Sequence, residues 1–331
     1  MNLIVFPSKN IKILFKYLFG PLVFLLLSFA IYKQIQHQPD WRHSFSRILD
    51  ALTGPQQWKI WTVLILMPLN WLLEARKWQL CIKFLQPISL SKAFKATLTG
   101  TTIASFTPNR MGEYLGRMLY VEEGNRVSSI SLSMVCSVSQ LLITGIAGCL
   151  GIVYLKWNAA VQQHFQFGLS LLLGGVVLII ILFAFLYFRL NWLVRLLGKI
   201  PLPARYLEYV KVLRDFNASI LLHILLLSFV RYLVFILQYF LLFSVFGVLL
   251  SWGQTFGGIS VMFLIMAVVP TFTFLTELGL RWEASLQIIE LFSANRVGIF
   301  ASSLGIWLIN LVIPALIGSL LILSIKLYRN K

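Results

Sequence analysis

Long, predominantly apolar stretches recur along this chain and restrict it to a membrane. The four longest cover residues 129–155, 167–188, 220–247 and 297–325. A helix of about 20 apolar residues crosses a hydrocarbon core roughly 30 Å thick. Only 12% of the 331 residues are charged, whereas a soluble domain carries about 25%. The sequence therefore excludes a soluble enzyme, a disordered tail and a secreted disulfide scaffold.

Two shorter apolar runs precede these stretches. Residues 17–31 follow three lysines, which resembles a signal peptide, and residues 28–30 are compatible with a cleavage site. We interpret this run as an uncleaved first span, because the rest of the chain is also apolar enough to lie in a membrane. The second run, residues 60–73, is the next predicted span.

Two further segments, residues 93–106 and 256–274, are short and contain many small residues. Pro108 follows the first, and Pro270 interrupts the second. If both crossed fully, the basic loop of residues 189–214 would face outward, although Lys and Arg collect in cytoplasmic loops. We therefore expect six full spans and two re-entrant hairpins, with eight spans as the alternative and both termini in the cytoplasm.

The predicted fold is an all-α polytopic membrane protein with a single integral membrane domain over residues 1–331. Its expected parts are a first repeat (60–155, hairpin near 93–125), a basic cytoplasmic loop (189–216) and a second repeat (218–325, hairpin near 254–294). Non-helical backbone at membrane depth is tolerated only inside protein or beside a water-filled cavity. Two hairpins entering from opposite faces therefore predict a cavity.

Each break is followed by a Glu four residues before an Arg. The pairs are Glu113 with Arg117 and Glu277 with Arg281. Residues i and i+4 share one helix face, and Glu ahead of Arg is the favourable order. Broken segments in two halves of a chain point to the site of a transporter with an inverted repeat. Intramembrane charges usually mark such sites. The alternative is structural, in which the pairs only neutralise each other and attach the hairpins to the bundle.

The breaks also predict helix starts inside the membrane. Thr107 is placed to cap a helix that begins at Pro108, and Thr276 is placed to cap the second helix. The free N–H groups of the first helix, with Arg110 and Arg117, would form a positive pole for a phosphate or carboxylate.

Small and amide side chains predict contacts between helices. Gly112 and Gly116 are four residues apart, a spacing that allows close helix approach. Gln140 and Gln238 are single polar residues in spans, and we expect each to form a hydrogen bond to another helix.

Two arginines near or within spans are secondary candidates for the site. Arg76 lies in the polar segment of residues 74–78 and is more simply an interfacial anchor, with a Trp at headgroup depth. Arg231 lies inside a span and needs a partner, for which Glu113 and Glu277 are available.

Neither a metal site nor a cofactor is predicted. Cys81, Cys136 and Cys149 lack the paired spacing of a metal site or a disulfide framework. The four histidines form no metal-binding pattern. We expect no enzyme activity, and no nucleic-acid partner, because the net charge of +17 fits loops on the cytoplasmic side of a membrane.

The first break matches a family signature, Pro-x-Arg-x-Gly-Glu-x-x-x-Arg, through Pro108, Arg110, Gly112, Glu113 and Arg117. The chain resembles the flippase-like lysylphosphatidylglycerol synthase transmembrane-region family, the membrane half of multiple peptide resistance factor. The upstream Arg-Trp signature appears as Arg76-Lys77-Trp78, with one residue inserted.

The second family signature, a Pro-initiated Gly-Gly-x-Gly-x-Arg-Glu segment, is matched in part. The matching residues are Pro270, Gly279, Arg281 and Glu283. Thr276 and Glu277 replace the two glycines, and Trp282 is inserted before the final Glu. The resemblance covers roughly residues 10–325.

The resemblance implies a multi-pass protein of the plasma or inner membrane that moves a lipid between leaflets. We expect no synthase activity, because full-length synthases add a soluble domain after the membrane part, whereas this chain ends at Lys331. The lead hypothesis is a flippase for an anionic or zwitterionic phospholipid or an isoprenoid-linked lipid. The alternatives are an intramembrane lipid-phosphate enzyme and an accessory scaffold of an envelope lipid-synthesis complex, with other envelope-synthesis proteins as partners.

The predicted site combines the intramembrane charges with the residues around the breaks. The expected substrate-binding residues, which should approach a shared cavity, are Arg110, Glu113, Arg117, Glu277, Arg281 and Glu283. The secondary candidates are Arg76, Arg231, Thr107, Pro108, Gly112, Pro270 and Gly279.

The predicted topology can be tested by cysteine labelling. In a cysteine-free variant, Lys199→Cys and Arg205→Cys should stay unlabelled by an impermeant thiol reagent in intact cells, because their loop is basic and so cytoplasmic. Both should become labelled when the membrane is permeabilised. Strong labelling of either residue in intact cells would contradict the six-span topology.

Overall fold

The structure is a computed structural model that describes Phe29 and residues 54–157, 163–199, 204–271 and 274–328. The longer helices in these ranges are α1 (Gln57–Ile82), α2 (Leu90–Ala104), α3 (Gly112–Met118), α4 (Arg126–Trp157), α5 (Gln163–Phe188), α6 (Leu190–Leu197), α7 (Ala204–Lys211), α8 (Ala218–Val245), α9 (Trp252–Val268), α10 (Phe274–Ile289), α11 (Arg296–Trp307) and α12 (Ile313–Tyr328). Short 3-10 turns cover Pro108–Arg110, Glu123–Asn125 and Val212–Asp215, and a π-helical turn, Leu308–Val312, joins α11 to α12.

Polar caps fix the starts of four helices. The side-chain oxygens of Ser89, Asn217, Ser251 and Asn295 accept hydrogen bonds from backbone N–H groups in the first turns of α2, α8, α9 and α11. These bonds satisfy donors that a helix start leaves without an intrahelical partner. The Asn295 amide also donates to the carbonyls of Phe246 and Gly247, each at 3.0 Å, and so ties the start of α11 to the end of α8.

Four helical segments are long and apolar enough to cross a membrane. They are Glu123–Trp157, Ser170–Phe188, Ala218–Val245 and Arg296–Ile322. These segments contain most of the four long stretches in the sequence, so the prediction of a multi-pass membrane protein is confirmed. The segment in α5 is only 6% buried, and an apolar helix with so little protein around it needs lipid as its surroundings.

The two earlier predicted spans have different outcomes. Residues 60–73 lie within α1, which has 26 residues and is therefore about 39 Å long at 1.5 Å per residue. α1 is less apolar than α4, α5 and α8. The run of residues 17–31 lies outside the described ranges, apart from Phe29. The exact number of spans stays a prediction.

The first broken segment folds as a helical hairpin, formed by α2 and α3. The Thr99 and Tyr120 hydroxyls are 3.0 Å apart near its open end, and Gly112 lies against Ile103 near the break. This pairing shows that α3 runs antiparallel to α2. A Cβ atom on Gly116 would lie 2.4 Å from the Cα atom of Gly100, so the predicted close approach at Gly112 and Gly116 is present.

The second broken segment folds in the same way, with α9 and α10 as its limbs. Gly258 in α9 lies against Ile289 in α10. One turn further along, the Ser285 hydroxyl lies 2.9 Å from the Met262 sulfur. These contacts define a second antiparallel helical hairpin.

Each hairpin packs against the last long helix of the other half. In α2, the Thr102 hydroxyl donates to the carbonyl of Ala315 in α12 at 2.6 Å. In α9, the Gly257 carbonyl oxygen would lie 2.7 Å from a Cβ atom on Gly151 in α4. Each hairpin therefore packs against a helix of the other half.

The first long helices of the halves, α1 and α8, run antiparallel beside each other. Lys59 donates to the Ser244 hydroxyl at 2.6 Å near one end, and Lys77 donates to the Ser228 hydroxyl at 3.1 Å near the other. Corresponding helices that run in opposite directions are what an inverted repeat requires.

The two hairpin tips meet through two hydrogen bonds between Asn109 and Thr271. The Asn109 N–H donates to the Thr271 carbonyl at 2.8 Å, and the Thr271 N–H donates to the Asn109 side-chain oxygen at 3.2 Å. Asn109 and Arg110 have φ angles of 50° and 59°, the left-handed region that few residues other than Gly adopt. This turn redirects the chain after Pro108, so α3 begins at Gly112.

The basic segment between the halves is largely helical. α6 buries Leu190 and Val194 and exposes Trp192 and Arg195, which is the amphipathic pattern expected of a helix lying on a surface. Its location on the cytoplasmic side stays a prediction.

The close contact at Gly116 predicts opposite effects of two glycine substitutions. Gly116→Ala should destabilise the protein by about 1–3 kcal/mol, because its Cβ atom would overlap backbone atoms of α2 that cannot move aside. Gly279→Ala is the matched control in the second hairpin. A Cβ atom there has nothing within 4 Å, so it should stabilise α10 by up to about 1 kcal/mol. Thermal unfolding in detergent measures both, and equal shifts would contradict the proposed packing role of Gly116.

Candidate functional site

A cavity of about 550 Å³ lies between the two hairpins and the long helices α1, α4, α8 and α11. Its apolar walls include Trp71, Met134, Leu141, Phe235 and Phe263. Its polar lining includes Glu74, Arg110, Glu113, Gln140, Arg231, Glu277, Arg281 and Asn310. One cavity therefore combines a charged end with an extended apolar surface.

Glu74 in α1 is the centre of the charged end. Its side chain is 7% exposed and forms ion pairs with Lys77 at 2.8 Å, with Arg117 at 2.9 Å and with Arg231 at 3.4 Å. Arg117 also pairs with Glu113. Because a charge is buried only when it is paired and hydrogen-bonded, this carboxylate makes the burial of three cations possible.

Lys77 is fully buried and is held by α4 and α8 as well as by Glu74. Its amino group donates to the Ser228 hydroxyl at 3.1 Å and to the Gln140 side-chain oxygen at 3.4 Å. The adjacent Trp78 is also buried and donates to the Ser133 hydroxyl at 3.0 Å. Trp78 therefore packs inside the bundle, and its depth in the membrane stays a prediction. Arg76 is exposed and bonds to Gln79, which agrees with an anchor at the surface.

Arg231 in α8 reaches across to α1. Its Nε donates to the Asn70 side-chain oxygen at 2.8 Å, and its guanidinium lies over the rings of Trp71 (5.6 Å) and Phe235 (5.2 Å). Such cation–π contacts stabilise a cation in apolar surroundings. The ion-pair partner of Arg231 is Glu74, whereas the partners predicted from the sequence were Glu113 and Glu277.

The predicted helix-to-helix hydrogen bonds of two glutamines are present. Gln140 in α4 accepts from Arg231 at 3.3 Å. Gln238 in α8 donates to the Val63 carbonyl in α1 at 3.0 Å. Both amides therefore connect different helices, as expected.

The second hairpin holds its Glu–Arg pair in the same way as the first. Arg281 donates to Glu277 at 2.9 Å and to the Tyr239 hydroxyl in α8 at 3.0 Å. In the first hairpin, Arg117 pairs with Glu113 and with Glu74 in α1. Each hairpin arginine is thus tied to the first long helix of its own half.

Arg110 joins the two hairpins. Its guanidinium at the tip of the first hairpin lies 3.6 Å from the Glu277 carboxylate of the second. The Arg110 side chain is 35% exposed, more than any other cation around this cavity. It is therefore the basic group least occupied by protein partners.

The six predicted substrate-binding residues do not all reach the cavity. Arg110, Glu113, Glu277 and Arg281 line it, while Arg117 is 1% exposed and lies behind the acids that it pairs with. Glu283 is exposed and accepts from Gln287 at 2.8 Å. The expectation that Glu283 approaches the cavity is wrong, because residues two positions apart, such as 281 and 283, point to different faces of a helix.

The predicted helix starts also differ from those in the structure. A short 3-10 turn begins at Pro108 after Thr107, but the Thr107 side chain makes no cap hydrogen bond to it. The Thr107 hydroxyl accepts instead from the Gly112 N–H at the start of α3, at 2.7 Å. α10 begins at Phe274, and Thr276 lies inside its first turn and not at its cap. The predicted anion pole of free N–H groups is absent at Gly112, because Thr107 already occupies that donor.

The remaining secondary candidates lie in the hairpins and do not line the cavity. Pro108 and Pro270 lie exposed at the two tips, where α2 and α9 have ended. Gly112 allows the close packing of α3 on α2. Gly279 has open space around it.

No group of three or more His, Cys, Asp or Glu residues within the described ranges could hold a metal ion. Cys81 and Cys136 are buried free thiols with their sulfurs 3.2 Å apart.

The charged cluster carries an excess of positive charge. Five basic side chains (Lys77, Arg110, Arg117, Arg231 and Arg281) surround three acidic ones (Glu74, Glu113 and Glu277) through the ion pairs described above. Their formal charges leave two positive charges without an acidic counterpart in the cluster. A buried cluster of this kind is suited to an anionic ligand such as a phosphate.

The central position of Glu74 predicts a large loss of stability when its charge is removed. Glu74→Gln should lower the free energy of unfolding by about 3–5 kcal/mol, because three buried cations lose their shared partner. Glu283→Gln is the control, since that carboxylate is exposed and should matter by less than about 0.5 kcal/mol. Denaturant unfolding in detergent measures both, and similar stability of the two variants would show that Glu74 does not hold the cluster together.

Comparison with known proteins agrees with this architecture. No curated protein matches the chain. The family model described as the lysylphosphatidylglycerol synthase TM region matches residues 17–318, which contain both hairpins and the whole charged cluster. The chain therefore belongs to the lysylphosphatidylglycerol synthase TM-region family.

Proposed function

We propose that this protein moves an anionic or zwitterionic lipid between the two leaflets of a cell membrane. The observation that carries the proposal is a cluster with two more basic than acidic side chains, three of whose arginines line one end of a cavity with apolar walls. Membership of a family named after a lipid synthase is consistent with a lipid as the ligand. We propose transport rather than catalysis, and no cofactor is required.

The charged end of the cavity suits a lipid headgroup, and its apolar wall suits the acyl chains. Arg231, Arg110 and Arg281 line its charged end and would hold a phosphate by charge-assisted hydrogen bonds. Met134 and Leu141 line its wall and are also exposed on α4, so the cavity reaches the outer surface of the bundle beside apolar side chains. Acyl chains could remain against this apolar surface while the headgroup occupies the charged end.

The proposed membrane arrangement is six spans with two re-entrant hairpins that enter from opposite faces. The antiparallel α1 and α8 support an inverted repeat, as does the packing of each hairpin on the other half. In this arrangement the tips of Asn109 and Thr271 meet at membrane depth, where an inverted-repeat transporter places its substrate. Both termini and the basic segment would face the cytoplasm.

The transport proposal can be tested by reconstitution. The purified protein in liposomes should move fluorescent phosphatidylglycerol between leaflets, measured by the fraction of label that dithionite bleaches over time. Arg110→Gln should reduce this rate about tenfold or more, because a hydrogen bond to a charged group contributes about 1.5–3 kcal/mol. Its long ion pair at 3.6 Å means that folding should be little affected.

Arg76→Gln is the matched control for this experiment. It also removes one arginine charge, but from an exposed side chain of α1 that does not line the cavity, so its rate should equal that of the wild type. A wild-type rate no higher than that of protein-free liposomes would reject transport and leave the scaffold and the lipid-phosphate enzyme as alternatives. Equal rates for Arg110→Gln and the wild type would reject the role of the charged end.

A further inference from the structure

Asn310 is a buried amide on the cavity wall, and its side chain has no hydrogen-bond partner among the described residues. It is 5% exposed, it lines the cavity, and neither its Oδ1 nor its Nδ2 has a hydrogen-bond partner among the described residues. A buried polar group left without a partner costs about 1–3 kcal/mol. This cost is offset if a group other than the described residues pairs with the amide.

The backbone at Asn310 is as unusual as its side chain. The residue is the middle one of the π-helical turn, Leu308–Val312, between α11 and α12. A single π-helical turn inserted in an α-helix frequently marks a functional site. The next two residues, Leu311 and Val312, are buried and apolar, so their side chains offer the amide no hydrogen bond.

A second hydrogen-bond donor without an acceptor among the described residues lies on the same cavity wall. The indole N–H of Trp71 is buried and has no partner within the described ranges, and Trp71 as a whole is 2% exposed. Its ring lies 5.6 Å from the Arg231 guanidinium. Neutral hydrogen-bonding groups and phosphate-binding cations therefore line one and the same cavity.

We propose that Asn310 determines specificity by binding a hydroxyl group in the lipid headgroup, with Trp71 as a second donor. This inference rests on the proposed function and makes its substrate more specific. An Asn side chain offers one acceptor and two donors, and a hydroxyl is the headgroup component that can donate to the oxygen and accept from the nitrogen. A phosphate without a proton only accepts, and it would leave the Asn310 oxygen unpaired. The preferred substrate is thus an anionic lipid whose headgroup carries a free hydroxyl.

Two lipids with equal charge separate this inference from simple anion binding. Phosphatidylglycerol and phosphatidylethanol both carry a singly charged phosphodiester, but only phosphatidylglycerol has headgroup hydroxyls. The full chain in detergent should bind phosphatidylglycerol about two- to tenfold more tightly, as expected for one or two net hydrogen bonds. Native mass spectrometry with both lipids present measures the ratio of the two dissociation constants.

Substitutions then identify the residue responsible. Asn310→Leu should bring the ratio to about one, and Trp71→Phe, which removes only the indole N–H, should reduce it. Ser303→Ala is the matched control, because Ser303 in α11 is also buried and unpartnered within the described ranges but does not line the cavity. Its ratio should equal that of the wild type.

The outcomes separate the two proposals. If the wild type binds both lipids with equal affinity, or if Asn310→Leu retains the preference, the inference about the hydroxyl fails and anion binding stands. If the wild type binds neither lipid, the proposed function fails as well. If Asn310→Leu does not fold, an undiminished ratio in Trp71→Phe still counts against the inference.

Discussion

The rest of the structure depends on one buried carboxylate, that of Glu74. It binds Lys77 of its own helix, Arg117 of the first hairpin and Arg231 of the other half. In a membrane, apolar side chains give no hydrophobic driving force for helices to associate, so packing and polar contacts select their partners. Glu74 therefore fixes the first hairpin on α1 and fixes α8 beside α1, and the cavity lies between the elements that it connects.

The two halves differ at the centre of the charged cluster. Glu277 and Arg281 follow Glu113 and Arg117 by 164 residues, and the residue at the same spacing from Glu74 is Gln238, an uncharged amide of nearly the same shape. The second hairpin arginine therefore reaches the neutral Tyr239, whereas the first reaches an acid. The same architecture occurs in both halves, but only one half supplies a central carboxylate, and Lys77 of that half balances its charge. Each half therefore contributes one positive charge to the excess of the cluster.

The sequence predicted the architecture better than the site. Apolar length and the two proline breaks were enough to locate four long apolar helices and the two helical hairpins, because the membrane restricts what such segments can form. The central acid was missed because Arg76 and Trp78 made its segment resemble an interfacial anchor. Asn70, Glu74 and Lys77 lie four and three residues apart on one helix face, and this spacing was the available signal. The lack of a hydrogen-bond partner for the Asn310 side chain among the described residues could not be predicted, because it depends on a π-helical turn that packing creates.

The contacts between the two halves differ greatly in the free energy needed to break them. Between α1 and α8 lie the buried ion pair of Arg231 with Glu74 and the fully buried bond of Lys77 with Ser228. The hairpin tips are joined by one backbone and one side-chain hydrogen bond of the exposed Asn109 and by the 3.6 Å pair of Arg110 with Glu277. Bonds that exchange with water contribute little net free energy, whereas breaking a buried pair exposes an uncompensated charge. A movement that opens the cavity is therefore least costly at the tips, with α1 and α8 remaining together as its fixed frame.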